Sequence, residues 1–338
     1  MSVSNPDFSK GTIITSRVRL ARNVKGFPFK IKDPAVASEM VKKVYRALSK
    51  IDTFNLYYMA KLPLAKLEAM KEKHLISQNL IDNRLCGAAL INEDKSVSIM
   101  VNEEDVLREQ CFMKGLRLSE AYKKLDKIDD ELAKHLDIVF DEEFGYLTAC
   151  ATNLGTGLRA SVMLFLPALT ESGKIAELIE IVKEMGLTVR GLYGEGSKAE
   201  GYMYQISNEL TLSLSEQEII RAVEDAVERI CNAERIQMKK FYSNKELQTL
   251  DRAKKSYGIL TNAVLLPYNE FLAHIANVKL GVALGMLDFN DLDSIDDLVV
   301  NARPYSLCEL YGKNLSQMDR DLYRAEYVGG KLKKLANF

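Results

Sequence analysis

Apolar residues recur along this 338-residue chain at two periods. Over residues 13–22 they alternate with polar ones: Arg17 and Arg19 interleave with Val18 and Leu20, as in a half-buried strand with both arginines on one face. Residues 34–50 instead space Val36, Met40, Val41, Val44 and Leu48 at three and four, which predicts a helix. Residues 64–72 read similarly, with His74 just past the end. A hairpin is expected from residues 85–92 and 97–101 around Glu93-Asp94-Lys95, and an amphipathic helix over 119–135. Further strands are predicted at 144–148, 162–166, 187–189 and 204–212. Thr170 or Ser172 is expected to cap a helix carrying Ile175, Leu178 and Val182 that stops at Gly186. Ser215 and Glu218 make a capping box for a long helix through Ile230. Beyond about residue 237 helical spacing takes over, so residues 238–338 read as a smaller helical domain.

Composition narrows the function classes. The chain is 47% hydrophobic and 28% charged, values of a soluble globular protein. A formal net charge of −1 gives no global basic field for nucleic acid. Five cysteines, at 86, 111, 150, 231 and 308, form no CxxC pair and point to reduced thiols in a cytoplasmic setting. The three histidines are too scattered to suggest a metal cluster. No leader is visible, and no apolar run nears the ~18 residues of a membrane span.

Candidate chemistry concentrates in a few stretches. Residues 150–163 begin with Cys150 in a Gly-rich turn, bend at Gly155 and Gly157, and enter an apolar run through Arg159. That suits an anion-handling site, and equally a core cysteine beside an ordinary turn. In Asn102-Glu103-Glu104-Asp105, three consecutive acids should raise at least one carboxyl pKa unless cations are near; the alternative is a solvated acidic loop. Arg108 could pair with Glu104 if the segment is helical. Arg190 opens a glycine-rich loop with Glu195 at its centre. Arginines 17, 19, 108, 159 and 190 thus sit at strand ends or beside glycines, as do Glu104 and Glu195. There is no Walker A sequence and no GxGxxG after a strand, so a nucleotide's phosphates would be held by side chains, for which the planar guanidinium is suited. Two carboxylates opposite such arginines suit a cationic acceptor. A guanidinium is a poor nucleophile, and paired carboxylates could align it and take its proton while a nearby thiolate adds negative charge.

Four of these stretches carry a resemblance: Thr15-Ser16-Arg17-Val18-Arg19, Asn102-Glu103-Glu104-Asp105 with Arg108, Cys150 to Ser161, and Arg190-Gly-x-x-Gly-Glu195. In that order the chain resembles the ATP:guanidino phosphotransferases (phosphagen kinases), and within them the bacterial protein-arginine kinase branch of the McsB type. The resemblance covers most of residues 11–235 and continues into the tail. It implies an α+β fold, an antiparallel sheet flanked by helices, as catalytic domain over 11–236, and a helical dimerisation and regulatory domain over 237–338. The implied substrate pair is ATP with Mg²⁺ and a guanidinium.

Carried over residue by residue, the resemblance implies nucleotide contacts from Thr15, Ser16, Arg17, Val18 and Arg19, from His74 and from Arg108. It adds Arg159, Ala160, Ser161, Val162 and Met163, and the loop Arg190, Gly191, Leu192, Tyr193, Gly194 and Glu195. Glu104 and Glu195 take the place of the catalytic carboxylates and Cys150 that of the active-site thiol. Arg320, Asp321, Arg324 and Ala325 match the RDxxRA motif of a proposed allosteric phosphoarginine pocket. Ala151 stands where the family usually has proline, and Val106 and Phe165 where histidine is common.

The small-guanidine kinases of the family carry a helical domain before the first arginine strand, whereas here only residues 1–10 precede it. The expected acceptor is therefore arginine on a protein surface, in bacterial protein quality control and stress response. Free arginine or a similar small guanidine is the second reading, and a non-catalytic phosphoarginine-recognising adaptor the third. Implied partners are a second copy of the chain, a zinc-containing activator protein, a heat-shock repressor and the Clp protease system.

Overall fold

A computed structural model of the protein describes residues 11–191 and 200–337. Among the described residues there are ten strands, eight of which form one sheet. In chain order they are β1 (Ile13–Arg22), β2 (Phe54–Tyr58), β3 (Ala88–Asn92), β4 (Val97–Val101), β5 (Leu107–Lys114), the short pair β6 (Phe140–Asp141) and β7 (Gly145–Tyr146), β8 (Leu158–Phe165), β9 (Leu187–Gly191) and β10 (Met203–Asn208). The eight are ordered β2-β3-β4-β5-β1-β8-β10-β9, and each neighbouring pair is antiparallel. Seven helices accompany them: α1 (Pro34–Leu48), α2 (Leu64–Glu72), α3 (Gln78–Asp82), α4 (Leu118–Ala133), α5 (Pro167–Glu171), α6 (Ile175–Glu184) and α7 (Glu216–Tyr242). Five more follow among the described residues: α8 (Glu246–Asn262), α9 (Tyr268–Ala283), α10 (Asp293–Asn301), α11 (Pro304–Leu310) and α12 (Gln317–Leu335). The fold is thus an antiparallel sheet flanked by helices with a helical C-terminal part. None of the described helices is long and apolar enough to cross a membrane.

Side-chain alternation gives the sheet two unlike faces. Val18, Leu20, Leu90, Ile99, Val162 and Ile206 point to one side, where they join Met40 and Val44 of α1, Leu125 of α4 and Val223 and Val227 of α7 in the main core. On the other side Ala89, Ile91 and Met100 are covered by Leu67, Met70 and Leu80 of α2 and α3. At the far end of β8, Phe165 packs on Tyr242, Ala276 and Leu280. Between these two patches lie Arg17, Arg19, Arg108 and Arg159, which occupy facing register positions on β1, β5 and β8. The helical part has its own core around Leu260, Phe271, Ile275, Leu298 and Val328.

Local chemistry explains most element ends. Asp33 caps α1, with Pro34 at its first turn. Ser215 and Glu218 make the expected capping box for α7, and Ser316 and Asp319 make another for α12. Several expectations are corrected. The strand at 144–148 shrinks to Gly145–Tyr146, and the one at 204–212 ends at Asn208, leaving Leu210 and Leu212 exposed. The hairpin strand begins at Ala88, because the chain from Leu85 still belongs to the α3 exit. Neither Thr170 nor Ser172 caps the helix at 175. Both belong to α5 and its end, where Thr170 Oγ1 donates to Leu166 O at 2.6 Å, and Lys174 precedes α6 without a side-chain cap.

Candidate active site

The arginine face is built by register. Arg19 lies opposite Arg159 on β8 and Gln110 on β5, Arg17 opposite Ser161 and Phe112, and Ala21 opposite Arg108. Arg17 Nε donates to Ser161 Oγ at 3.5 Å and its Nη2 to Gln205 Oε1 at 3.4 Å, while Arg159 Nη2 donates to Ser207 Oγ at 3.2 Å. These are long, weak contacts. Arg19 Nε and Arg159 Nε are buried and have no partner among the described residues. Each such donor costs about 1–3 kcal/mol if left unmet. Burial, then Arg108 and Arg159, pushes Arg17 down to about 9. Arg19 is pushed well down by burial and then by Arg17, Arg108 and Arg159. Arg159 falls by burial and then by Arg190 and Arg108. Four guanidiniums therefore crowd one surface, and among the described residues only Arg108 has an ion-pair partner, Glu103. Residues of this kind fit a polyphosphate, whose oxygens accept in pairs from guanidinium forks.

The acidic stretch borders this surface, and the structure sorts its three acids. A tight turn holds them: Asn102, at φ +64°, exchanges hydrogen bonds with Ile31 N and O at 2.8 and 2.7 Å, and its own N–H donates to Val106 O at 2.7 Å. Glu103 is buried, accepting from Arg108 Nη1 and from Glu104 N, both at 2.8 Å, and from Ser77 Oγ. Asp105 is also buried, accepting from Asn23 Nδ2 at 2.7 Å and from Ala149 N at 2.6 Å, so it ties this turn to the chain just before Cys150. Glu104 alone keeps a carboxylate that accepts no hydrogen bond from a described residue. Its pKa is raised by burial, then by Glu103 and Asp105. Arg108 lies on a strand and pairs with Glu103, so the helical pairing with Glu104 does not form.

Cys150 enters the same space. A cavity of about 140 Å³ is lined by Arg19, Arg108 and Arg159 together with Glu103, Glu104, Asp105, Cys150, Thr152 and Gly157. Cys150 Sγ is 3.0 Å from Thr152 Oγ1. The loop behind it needs its glycines. A Cβ on Gly155 (φ +104°) would sit 2.4 Å from Thr211 O, and one on Gly157 (φ +64°) 2.6 Å from both Ala21 O and Arg22 Nη1. Ala151, in place of proline, sits exposed on a short 3₁₀ turn. Val106 and Phe165, in place of histidines, are fully buried in apolar clusters rather than facing the cavity.

The remaining sequence candidates divide. Thr15 and Met163 share the arginine side of the sheet, whereas Ser16, Val18, Ala160 and Val162 point to the helix-covered side and can offer only backbone. His74, at φ +57°, lies near the surface formed by Arg17 and Arg19, and Gln110 Nε2 donates to its carbonyl at 2.8 Å. On β9 Arg190 lies opposite Gln205, and Gly191, opposite Tyr204, is that strand's last residue. Leu192, Tyr193, Gly194 and Glu195 lie outside the described residues. Sequence reading missed Gln205 and Ser207, although the alternation of Gln205 and Ser207 with Tyr204 and Ile206 marks a polar strand face. It also missed Arg303, an isolated arginine in the helical part that reaches His74.

Comparison with known proteins now decides the family. Residues 36–237 match the C-terminal catalytic domain of ATP:guanido phosphotransferases, more than half of the chain. The chain belongs to the ATP:guanido phosphotransferase family. Membership makes it a phosphotransferase. Residues 246–337 match the C-terminal domain of the McsB protein-arginine kinases. The chain is 43% identical to a curated protein-arginine kinase of Caldanaerobacter subterraneus subsp. tengcongensis, the alignment covering 97% of this chain and 98% of the relative. With a protein-arginine kinase of Clostridium acetobutylicum it shares 40% identity over 95% and 96% of the two chains. Among solved structures, a duplicated taurocyamine kinase of Schistosoma mansoni matches with TM-score 0.61 and 26% identity, covering 72% of this chain and 35% of that one. A lombricine kinase matches with TM-score 0.57 and 25% identity over 69% of each chain.

Proposed function

We propose that this protein transfers the γ-phosphoryl group of ATP to the guanidinium of arginine residues in proteins. The observation that carries the chemistry is the pairing of an under-neutralised arginine face with one free carboxylate, Glu104, at its edge. Full-length relatives named protein-arginine kinase support the choice of acceptor.

On this reading Arg17, Arg19, Arg108, Arg159 and Arg190 hold the phosphates, and Arg19 Nε and Arg159 Nε find their missing acceptors there. Mg²⁺ is held mostly by phosphate oxygens and water, with at most one or two protein carboxylates. It would enter with the nucleotide and neutralise charge on the transferred group. Glu104 grips the acceptor guanidinium, and its raised pKa suits it to take the proton as the N–P bond forms and the electron pair of the breaking P–O bond leaves with ADP. Glu195 is proposed as the second carboxylate, carried on the loop that follows Arg190, and Cys150 as the thiol that adds negative charge beside the acceptor. Asp105 fixes the approach of the Cys150 segment through Ala149 N.

The catalytic domain is proposed to span 11–236 and the helical dimerisation and regulatory domain 237–338, although α7 itself runs unbroken from Glu216 to Tyr242. In the proposed phosphoarginine pocket on α12, Arg324 is buried and donates to Leu266 O at 2.7 Å, Ala302 O at 2.8 Å and Asp321 Oδ1 at 2.6 Å. Arg320 is the half-exposed member left to meet a ligand.

The deciding experiment offers Mg²⁺ and labelled ATP with an arginine-rich protein, free arginine and creatine in parallel. Acid-labile, alkali-stable label on the protein is expected. Label confined to free arginine or creatine would make the enzyme a small-guanidine kinase.

A further inference from the structure

Glu72 closes α2 and reaches across to the helical part. Its carboxylate accepts from Tyr305 N at 3.0 and 3.1 Å, from Ser306 N at 2.7 Å and from Ser306 Oγ at 2.9 Å. In return Glu309 of α11 accepts from Lys66 and, at 2.6 Å, from Lys73. Arg303 stands between these contacts. Its Nη1 donates to the carbonyl of Glu72 and lies 3.5 Å from His74 Nε2, while its Nε is buried without a partner. Among the described residues no carboxylate forms an ion pair with Arg303, so its charge is uncompensated beside an already cationic face. Arg324 Nε fixes Ala302 O at 2.8 Å, so α12 sets where Arg303 begins.

A guanidinium has donors and no acceptor, so the imidazole nitrogen facing it must keep its lone pair. The 3.5 Å contact fits a neutral His74 that carries its hydrogen on Nδ1. We propose that Arg303, supplied by the helical part, is a positioning residue of the nucleotide site: it holds His74 in the neutral Nδ1–H form at the edge of the arginine face. This rests on reading that face as the nucleotide site. The charges around the ring point the same way. Burial, then Arg303, Arg17 and Arg19, lowers the pKa of His74; the residue is itself exposed, so the three guanidiniums rather than burial carry the effect. The neighbouring charges are turned elsewhere, Glu72 to Tyr305 and Ser306 and Lys73 to Glu309.

With only three histidines in the chain, long-range ¹H–¹⁵N spectra of the side chains can follow His74 singly. In the wild type it should stay neutral, protonated on Nδ1, through the acid range. In Arg303→Ala its midpoint should move up toward the ordinary value of about 6.5. In the same variant the Kd for MgADP and the KM for ATP should rise about tenfold, the loss of one charge-assisted contact, with kcat nearly unchanged. Arg303→Lys should keep His74 neutral and recover part of the affinity. Glu309→Ala cuts the Lys66 and Lys73 side of the same junction and should move neither reading. An unchanged His74 spectrum in Arg303→Ala, or an equal effect of Glu309→Ala, would overturn the proposal. The spectra need no nucleotide, so they decide the role of Arg303 even if the wild type binds no MgADP, a result that would instead sink the nucleotide-site reading.

Discussion

Arg19 and Arg22 stand on the same strand and point to opposite sides of the sheet, and their surroundings could hardly differ more. Arg22 donates to both Asp129 oxygens at 2.7–3.2 Å, to Ala21 O at 2.9 Å and to Thr156 O at 3.0 Å, and its guanidinium lies 3.5 Å from the centroid of Tyr146. Burial works most strongly against its charge, but Asp129, Tyr146 and Glu109 together outweigh burial and the pKa ends up raised. Arg19 has a buried Nε without a partner, and burial with three neighbouring arginines drives it the other way. A satisfied guanidinium is a structural tie. An unsatisfied one, kept among others like it, is a place prepared for an anion that the chain does not itself supply.

The largest effect should come from Glu104, the acid of the 103–105 turn whose carboxylate accepts no hydrogen bond from a described residue. Glu104→Gln should cut phosphoryl transfer about 10³-fold, within the usual range for losing a positioned base, with the melting temperature nearly unchanged. The same change at Asp105 would instead weaken the tie to Ala149. Single-turnover rates and thermal melts separate these outcomes.

Arg22→Ala should break the satisfied side. It leaves Asp129 buried without its cation, and removing one member of such a pair costs about 3–5 kcal/mol. Denaturant unfolding should register that loss; a change near zero would mean that Asp129 finds another partner.

A smaller effect concerns Glu109, which faces the helix-covered side near Arg22 and whose oxygens have no described partner. Its pKa is raised well above the glutamate range by burial and then by Asp129, against the opposing pull of Arg22. The folded state therefore holds this proton more tightly than the unfolded chain does. The associated stability is complete below the ordinary range of about 4.3 and is lost as pH rises through the folded value. Glu109→Gln should flatten the fall in stability on going from acid to alkaline pH, and an unchanged slope would place the proton elsewhere.

Much of this was legible in the chain. Alternation of Arg17 and Arg19 with Val18 and Leu20 gave β1 and its two faces, because a strand's period of two leaves little choice once one face must be apolar. The capping box at Ser215 and Glu218 gave the start of α7. What single residues do depended on partners far away in sequence. Three adjacent acids look alike until Arg108, Ser77, Asn23 and Ala149 claim two of them. Arg22 looked no different from Arg19, since its tie to Asp129 spans more than a hundred residues. Arg303 had no local signal at all; only the packing of α11 on α2 brings it to His74.

The claim that the unsatisfied face receives the nucleotide is tested most directly by thermal unfolding of the wild type, Arg19→Ala and Arg22→Ala, each with and without saturating MgATP. Binding to the folded state alone raises the melting temperature by mass action. The wild type and Arg22→Ala should both show that rise, the latter from a much lower starting point. Arg19→Ala should start at or above the wild-type temperature and lose most of the rise. A full nucleotide-induced shift in Arg19→Ala, or a starting temperature as low as that of Arg22→Ala, would contradict the account.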